Sequence, residues 1–355
     1  MIELGFVIPG DIMLRTGGYI YDRHVMTTLP NFGIAARHVA LPGSFPFPPE
    51  ADLAETARIL ARIDADTPLL IDGLAFGAFP AALAAGIQQP IIALVHHPLF
   101  LETGLEAAQQ RHFHALEKAA LAHARAVITT SATTARTVTE EFGIPANRIT
   151  VAEPGTERGE RALPRVATPD KPLQLLAVGS IVPRKAYRNL IAALDGLADL
   201  PWTLTIAGDD TRHPDETTAL KAQIAASPAG ARIRLLGALS NAALAELYAT
   251  SDAFVMSSLY EGYGMVLGEA LAHGLPIVAT RAGAAAETVP DGAALKVEPG
   301  DVTALNAALR RVIADADLRR QLADQSWSAG QRLPQWRDTA RRIADVVERV
   351  AREEQ

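Results

Sequence analysis

Twice along this chain, short and nearly continuous apolar runs alternate with segments of helical periodicity. That alternation narrows the fold more than any other feature. The first series of strand candidates is IELGFVI, ARHVAL, PLLIDG, PIIALV, ARAVITTS and ITVAEP. Between them the spacing predicts helices over Tyr19–Leu29, Ala51–Ile63, Ala78–Ala85, Leu105–Ala124 and Ala132–Phe142. A strand that is apolar on both sides belongs in a parallel sheet covered on both faces, and strand–helix alternation builds right-handed βαβ units. The run Glu157–Pro172, rich in Pro, charge and small polar residues, breaks the pattern and reads as a linker. The pattern restarts with LQLLAVGS, WTLTIAGD, IRLLG, AFVMSS, PIVAT and AALKV. Helices are expected over Tyr187–Leu197, Glu216–Ala226, Asn241–Ala249, Met265–His273 and Thr303–Ala314, then over Asp317–Ser326 and Gln335–Arg352. The fold class is therefore α/β: two doubly wound domains, residues 1–160 and 172–330. Sheets of this kind take ligands at the carboxyl ends of their strands, so two of them facing each other would form a cleft.

Composition removes several alternatives. The chain has 355 residues, 49% of them hydrophobic and 21% charged, which fits a globular protein rather than a disordered or fibrous one. The net charge of −7 carries no basic excess, so a nucleic-acid partner is not expected and any bound anion must be held by a local device. The absence of cysteine excludes thiol nucleophiles and thiolate metal sites. It also fits a reducing, cytoplasmic setting, and the start MIELGFVIPGD does not read as a signal peptide. Gly73–Leu101 contains no Asp, Glu, Lys or Arg, but Pro80, Gln88, Gln89, Pro90, His96, His97 and Pro98 break it up, so it reads as helix, strand and loop rather than a membrane span.

Four constellations carry chemistry. In SSLYEGYGMVLGEALAHGLPIVAT (Ser257–Thr280) a buried strand gives way to a polar loop and then to a helix beginning near Met265. Glu261 stands in the loop and Glu269 one turn into the helix, with Gly262 and Gly264 between them. Glycines let backbone N–H groups approach a ligand, and a helix N-terminus favours phosphate. Carboxylates instead accept bonds from hydroxyls. Singly, Glu269 reads equally as a solvated helical residue and Glu261 as a loop carboxylate. Taken together, the groups suit a ligand with both phosphates and diols, such as a nucleotide sugar. In AVGSIVPRKAYRNL (Ala177–Leu190) a strand ends at Gly179–Ser180, and Arg184 and Lys185 precede a helix, well placed for a pyrophosphate or, more plainly, a surface charge pair. Gly17 and Gly18 open a helix without forming the dinucleotide signature. His96 and His97 end a buried strand, where they suit hydrogen bonding to a substrate or a plain core or surface role; no metal site is expected there. Asp209 and Asp210 read as turn-forming and helix-capping residues rather than metal ligands.

These motifs resemble those of retaining glycosyltransferases of family 4, which have the GT-B fold of two Rossmann-like domains. The resemblance runs over most of the chain and is strongest from Leu173 to Asp301. It matches the family's Glu-x7-Glu element at Glu261 and Glu269, its Arg–Lys pair at Arg184 and Lys185, its glycine loop at Gly17–Gly18 and its histidine at His96. The resemblance implies transfer of a sugar, with retention, from a UDP- or GDP-sugar to an acceptor. It also implies residue roles. Glu269 would hold the ribose, and Glu261 with the backbone at Tyr263, Gly264, Met265 and Val266 would hold the sugar. Arg184 and Lys185 would stabilise the leaving diphosphate. His96 would touch the sugar near the reacting carbon, with His97 the weaker match, and the backbone near Gly237–Leu239 would line the base pocket. No cofactor or obligatory metal is implied. The last helix, 335–355, would cross back onto the first domain, with Trp336 as an anchor. The chain departs from the family pattern at Ala186, where a glycine is usual, and at Glu153–Glu157.

Two other functions share this architecture: a nucleotide-sugar epimerase and a non-enzymatic, two-lobed sugar-binding protein. The acceptor is not legible. The apolar, aromatic loops LPGSFPFPPE and HHPLFLETG suit a lipid headgroup, an aromatic compound or a saccharide, and at most transient membrane contact is expected.

Overall fold

The computed structural model describes residues 1–163, 165, 168 and 170–352. Within the expected linker, Pro164, Val166, Ala167 and Pro169 lie outside the described residues, as does the end of the last helix, 353–355. The chain divides into two compact units, Met1–Gly155 with Pro334–Gln355, and Thr156–Leu333.

The first unit carries six strands: β1 (Ile2–Pro9), β2 (Ile34–Leu41), β3 (Leu69–Asp72), β4 (Ile91–Val95), β5 (Ala126–Thr129) and β6 (Ile149–Val151). All pair in parallel, in the order β2-β1-β3-β4-β5-β6. The central strands are buried along their whole length, which is why they read as unbroken apolar runs. Each Leu, Ile or Val so buried contributes about 1.5–3 kcal/mol. The connecting helices are α1 (Gly17–Thr28), α2 (Glu50–Leu60), α3 (Gly73–Phe76), α4 (Ala81–Gly86), α5 (Ala107–Ala122) and α6 (Ala132–Phe142). The helix expected over Ala78–Ala85 is instead two short pieces, α3 and α4. Asp72 starts the first by accepting from Leu74 N at 2.7 Å, and Pro80 precedes the second. The strand expected to run through ITVAEP stops at Val151.

The second unit carries β7 (Leu173–Val178), β8 (Trp202–Ala207), β9 (Ile233–Leu235), β10 (Ala253–Met256), β11 (Ile277–Thr280) and β12 (Ala294–Val297). These are again parallel, in the order β12-β11-β10-β7-β8-β9. Its helices are α7 (Tyr187–Asp195), α8 (Pro214–Ala226), α9 (Asn241–Thr250), α10 (Met265–Ala272), α11 (Ala285–Thr288), α12 (Val302–Ala314) and α13 (Ala316–Gly330). Helix α8 begins two residues before the expected Glu216, because Pro214 fits the first turn and His213 Nδ1 accepts from Glu216 N at 3.2 Å. That corrects the capping expected of Asp209 and Asp210. Asp209 shapes the turn, accepting from Thr211 N at 2.8 Å, while Asp210 pairs with Lys221.

The last helix, α14 (Trp336–Arg352), belongs to the first unit. Its Ala340, Ile343, Val347 and Val350 join a core with Leu4, Phe6, Ile8 and Tyr21. Trp336 stacks on His24 at 4.2 Å and meets the Tyr21 ring edge-on at 5.7 Å. Among the described residues, no helix is long and apolar enough to cross a membrane.

Candidate functional site

In the second unit the polar residues gather where the chain leaves the carboxyl ends of β7 and β10, which are neighbours in the sheet. After β7 the chain passes Gly179 and Ser180, and a short turn, Pro183–Lys185, delivers Arg184 and Lys185. Tyr187 donates its hydroxyl to Gly179 O at 2.9 Å and closes this loop. Ala186, in place of the family's glycine, adopts the left-handed conformation at φ 47°. That conformation is costly for a residue with a Cβ, so the surrounding packing holds it there. After β10, the Ser257 hydroxyl donates to Lys185 O at 2.8 Å and Leu259 N donates to Arg184 O at 2.8 Å, so the two loops are tied together.

The side chains converge on Glu261. Lys185 Nζ lies 2.6 Å from its Oε1 and Arg184 Nη1 lies 3.1 Å from its Oε2. Ser258 Oγ donates to Oε1 at 2.7 Å, and Arg184 also donates to Tyr260 O at 2.7 Å. Burial alone would push the Glu261 carboxyl up; Lys185 and Arg184, with the donors on Oε1, overcome it and hold the group at about 2. Burial pulls the Lys185 ammonium down, and Glu261 opposes that; at 2.6 Å from a carboxylate that stays ionised, the pair is charged at neutral pH. The cluster of two cations and one carboxylate thus carries one net positive charge. Gly264, at φ 84°, then turns the chain into α10, so that Met265 and Val266 lie in its first turn. Gly262 is half-buried, and the buried Tyr263 accepts from Thr288 Oγ1 at 2.8 Å through its carbonyl.

Glu269 sits one turn into α10, half-buried, and accepts from Tyr248 Oη at 2.7 Å. Burial raises its carboxyl above the usual range, the Tyr248 hydroxyl opposes this and Glu157 adds to it. Gly237 and Leu239 follow β9 at the sheet edge; Gly237 O accepts from Gly208 N at 2.8 Å, alongside the loop after β8. The structure therefore joins Arg184, Lys185 and Glu261 directly, places Glu269 on the adjoining helix, and leaves Gly237 and Leu239 two strands away from β7. Sequence reasoning missed Ser258 and Tyr248. Ser258 was readable as a polar residue at a buried strand's carboxyl end; nothing in the linear pattern singles out Tyr248.

In the first unit, His96 follows β4. Its Nε2 lies 3.2 Å from Asp22 Oδ1 on α1 and 3.4 Å from Asp72 Oδ2 at the end of β3. Tyr21 meets the imidazole edge-on at 5.2 Å, and Thr130 Oγ1 donates to His96 O at 3.0 Å. A Cβ added to Gly18 would stand 3.3 Å from His96 Cδ2, so the second glycine of the pair gives the ring its room, while the exposed Gly17 starts the helix. His97 faces away from this group and pairs with Glu102 at 3.1 Å. The loop after it is fixed by buried Glu117, which accepts from Leu99 N at 2.8 Å and Phe100 N at 3.1 Å; burial pushes that carboxyl up to about 8, against the pull of the two amides. Asp22 and Asp72 were also missed. Asp22 lies on the apolar stripe of α1 with Val25 and Leu29, and Asp72 ends an otherwise apolar strand, so both carried a signal as acids at buried positions. Among the described residues, Asp22, Asp72 and His96 are also the group whose polar atoms, within 4.8 Å of one another, approach the spacing of a cation site; the set lacks the fourth protein ligand of a closed site, and the contacts are hydrogen-bond distances.

Comparison with known proteins identifies the family and the fold. Residues 20–159 match the family model described as glycosyltransferase family 4, and residues 160–327 match glycosyl transferases group 1. The chain belongs to glycosyltransferase family 4. Over 284 residues it is 31% identical to a glycogen synthase of Mycobacterium tuberculosis, a span covering 76% of this chain and 66% of that protein. The match thus takes in just under two thirds of that relative's length. Sucrose-phosphate synthase from Thermosynechococcus elongatus superposes with a TM-score of 0.82 at 19% identity, covering 98% of this chain and 99% of the other. Anabaena HepE, solved with UDP and glucose, gives 0.75 at 17% identity, covering 98% and 100%. These likenesses identify the fold as GT-B. Family membership accounts for the two parallel six-stranded sheets.

Proposed function

We propose that this family 4 member transfers a sugar, with retention at the anomeric carbon, from a UDP- or GDP-sugar to a hydroxyl of an acceptor. The observation that carries the reading is the cationic cluster at the carboxyl ends of β7 and β10, where Arg184 and Lys185 are held by Glu261 beside the start of α10. In this reading the two cations and the α10 N-terminus bind the diphosphate and stabilise it as the glycosidic bond breaks. Glu269, held by Tyr248, accepts from the ribose hydroxyls. Glu261 and the backbone of Tyr263–Val266 bind the transferred sugar, so Glu261 serves two partners, the cations and a sugar hydroxyl. The loops at Gly179, Ser180, Gly237 and Leu239 approach the nucleotide through their backbone. In the first unit, His96 contacts the sugar and Gly17–Gly18 approach the phosphate. A nucleoside diphosphate supplies its own leaving-group charge to fixed cations, so no metal is required in this scheme. HepE, with UDP and glucose bound, supports a nucleotide-sugar donor for this fold.

The test is calorimetry and thermal shift with UDP, GDP and ADP, followed by the matching nucleotide sugars with and without EDTA. A ligand at a hundred times its Kd stabilises the folded state by about 2.7 kcal/mol. One nucleoside diphosphate is expected to bind, unaffected by the chelator. Lys185→Ala is expected to lower turnover by about 10²-fold or more, the scale of losing one fixed donor. Wild-type turnover in that variant would remove the phosphate role, and conversion of the donor sugar without any acceptor would make the protein an epimerase.

A further inference from the structure

We propose that Asp22 and Asp72 are positioning residues for His96: from two different elements they grip Nε2, so that the ring presents Nδ1–H as a fixed hydrogen-bond donor to the bound sugar. The inference rests on the proposed transferase reading for the identity of the ligand, and on the first unit alone for the geometry.

The geometry is specific. Both contacts, 3.2 Å to Asp22 and 3.4 Å to Asp72, fall on the same ring nitrogen. A single N–H shared between two carboxyl oxygens must point between them, which fixes the ring plane. Tyr21 packs edge-on against the ring, and Gly18 lies against its Cδ2 edge. Asp72 is itself oriented, because its other oxygen accepts from Leu74 N. Nδ1, on the far side of the imidazole, has no hydrogen-bond partner among the described residues, and the side chain keeps 20% of its surface exposed. With one ring nitrogen bound to acids, the other is an acceptor if the ring is neutral and a donor if it is charged.

The groups facing His96 decide which. They are Asp22 and the phenol of Tyr21 from α1, and Asp72 from β3. The Tyr21 hydroxyl donates to Ala152 O, and burial raises it well above its usual range, so it stays neutral. Arg23, next to Asp22 in sequence, donates instead to the Ile12 and Leu14 carbonyls. Burial would lower the imidazole, but the two acids outweigh it and raise it to about 10. Burial in turn pushes Asp22 up to about 7, with Asp72 adding to the rise and His96 opposing it. At neutral pH His96 is therefore an imidazolium held against two acids, and its free edge donates.

A second feature argues against a merely structural role. Asp22 is fully buried, and among the described residues its Oδ2 has no hydrogen-bond partner. A buried acid with an orphaned oxygen, beside a second acid, weakens the fold. An uncharged residue would cost less to bury at this position. A charge kept at such a site serves the group it faces.

The test uses the full chain with 15N-labelled histidine. The His96 resonance is assigned by its loss in His96→Gln, and long-range 15N spectra report which ring nitrogens carry protons. Both are expected to be protonated in the wild type at pH 7.5, and only one in the Asp22→Asn, Asp72→Asn double variant. Asp22→Asn alone is expected to melt at or above the wild-type temperature. It should bind UDP or GDP within about twofold of wild type and lose about 10²-fold in kcat on the donor found in the screen above, with little change in KM. A neutral His96 in the wild type overturns the inference, and so does wild-type kcat in Asp22→Asn. A lower melting temperature with kcat restored on stabilisation does the same, as does a zinc or calcium ion bound stoichiometrically to these three residues. Where the variants fail to fold, the wild-type spectrum decides. If no nucleoside diphosphate binds the wild type, the transferase reading falls while the spectrum still judges the His96 arrangement.

Discussion

Replacing Glu261 with Gln removes the negative charge from the Arg184–Lys185–Glu261 cluster while keeping its shape. In the wild type Lys185 and Arg184 hold the carboxyl at about 2, well below its usual 4.5; at about 1.4 kcal/mol per pH unit, and with the burial of the Lys185 ammonium offsetting part of the gain, the charged form contributes on the order of 3 kcal/mol. The figure agrees with the 3–5 kcal/mol (order of magnitude) lost when one member of a buried ion pair is removed. Because the folded pKa is depressed, this stability is present above pH 4.5 and is lost as the pH falls through about 2. Glu261→Gln should therefore be less stable than wild type by about 3 kcal/mol at pH 7, roughly 6–12 °C for a unit of this size. The gap should persist to about pH 5 and narrow below it. The three tryptophans allow the second unit to be followed alone, since Trp336→Phe leaves only Trp202 and Trp327 as reporters. Urea titrations of both proteins in that background, from pH 7 to pH 3, measure the gap. A diphosphate that binds the two cations replaces the missing charge, so a saturating nucleotide should restore more stability to the variant than to the wild type. Equal stability at pH 7, or a gap that does not narrow in acid, would refute the idea that Glu261 is held ionised by these cations.

Two further outcomes follow from single contacts. Tyr248→Phe removes the donor to Glu269, whose carboxyl burial already raises; nucleotide affinity should fall about tenfold, and its acid limb should move to higher pH, since the carboxylate is then harder to form. An unchanged pH profile by calorimetry would exclude Glu269 from the ribose contact. Ala186→Gly relieves a left-handed residue at φ 47° against a smaller entropic loss, and stability should rise by about 0.5–1 kcal/mol, read as a higher urea midpoint at constant m. A lower midpoint would show that packing at the Ala186 methyl outweighs backbone strain.

Much of this protein was legible without coordinates because its strands are buried on both faces. Such strands announce themselves as apolar runs, and the helices between them by their period, so the α/β class, the parallel pairing and most element positions followed from local pattern. Short helices with no apolar stripe of their own, α3 and α11, left no such trace and appear only where Asp72 or a tight turn starts them. The glycine and charge spacing around Glu261, Glu269, Arg184 and Lys185 was equally visible, since loop chemistry is written along the chain.

The sequence by itself thus determined which residues stand at strand ends. Only the tertiary structure decided which of them meet. Lys185 and Glu261 are 76 residues apart, yet 2.6 Å separates their charged atoms, because β7 and β10 are neighbours in the sheet although two strands intervene along the chain. Asp22, Asp72 and His96 likewise reach one ring nitrogen from α1, β3 and the end of β4. Sheet order is set by crossover connections and by burial of whole faces. A period of two or of 3.6 residues records neighbours along the chain, not neighbours across the sheet, and ion pairs and shared protons form between the latter.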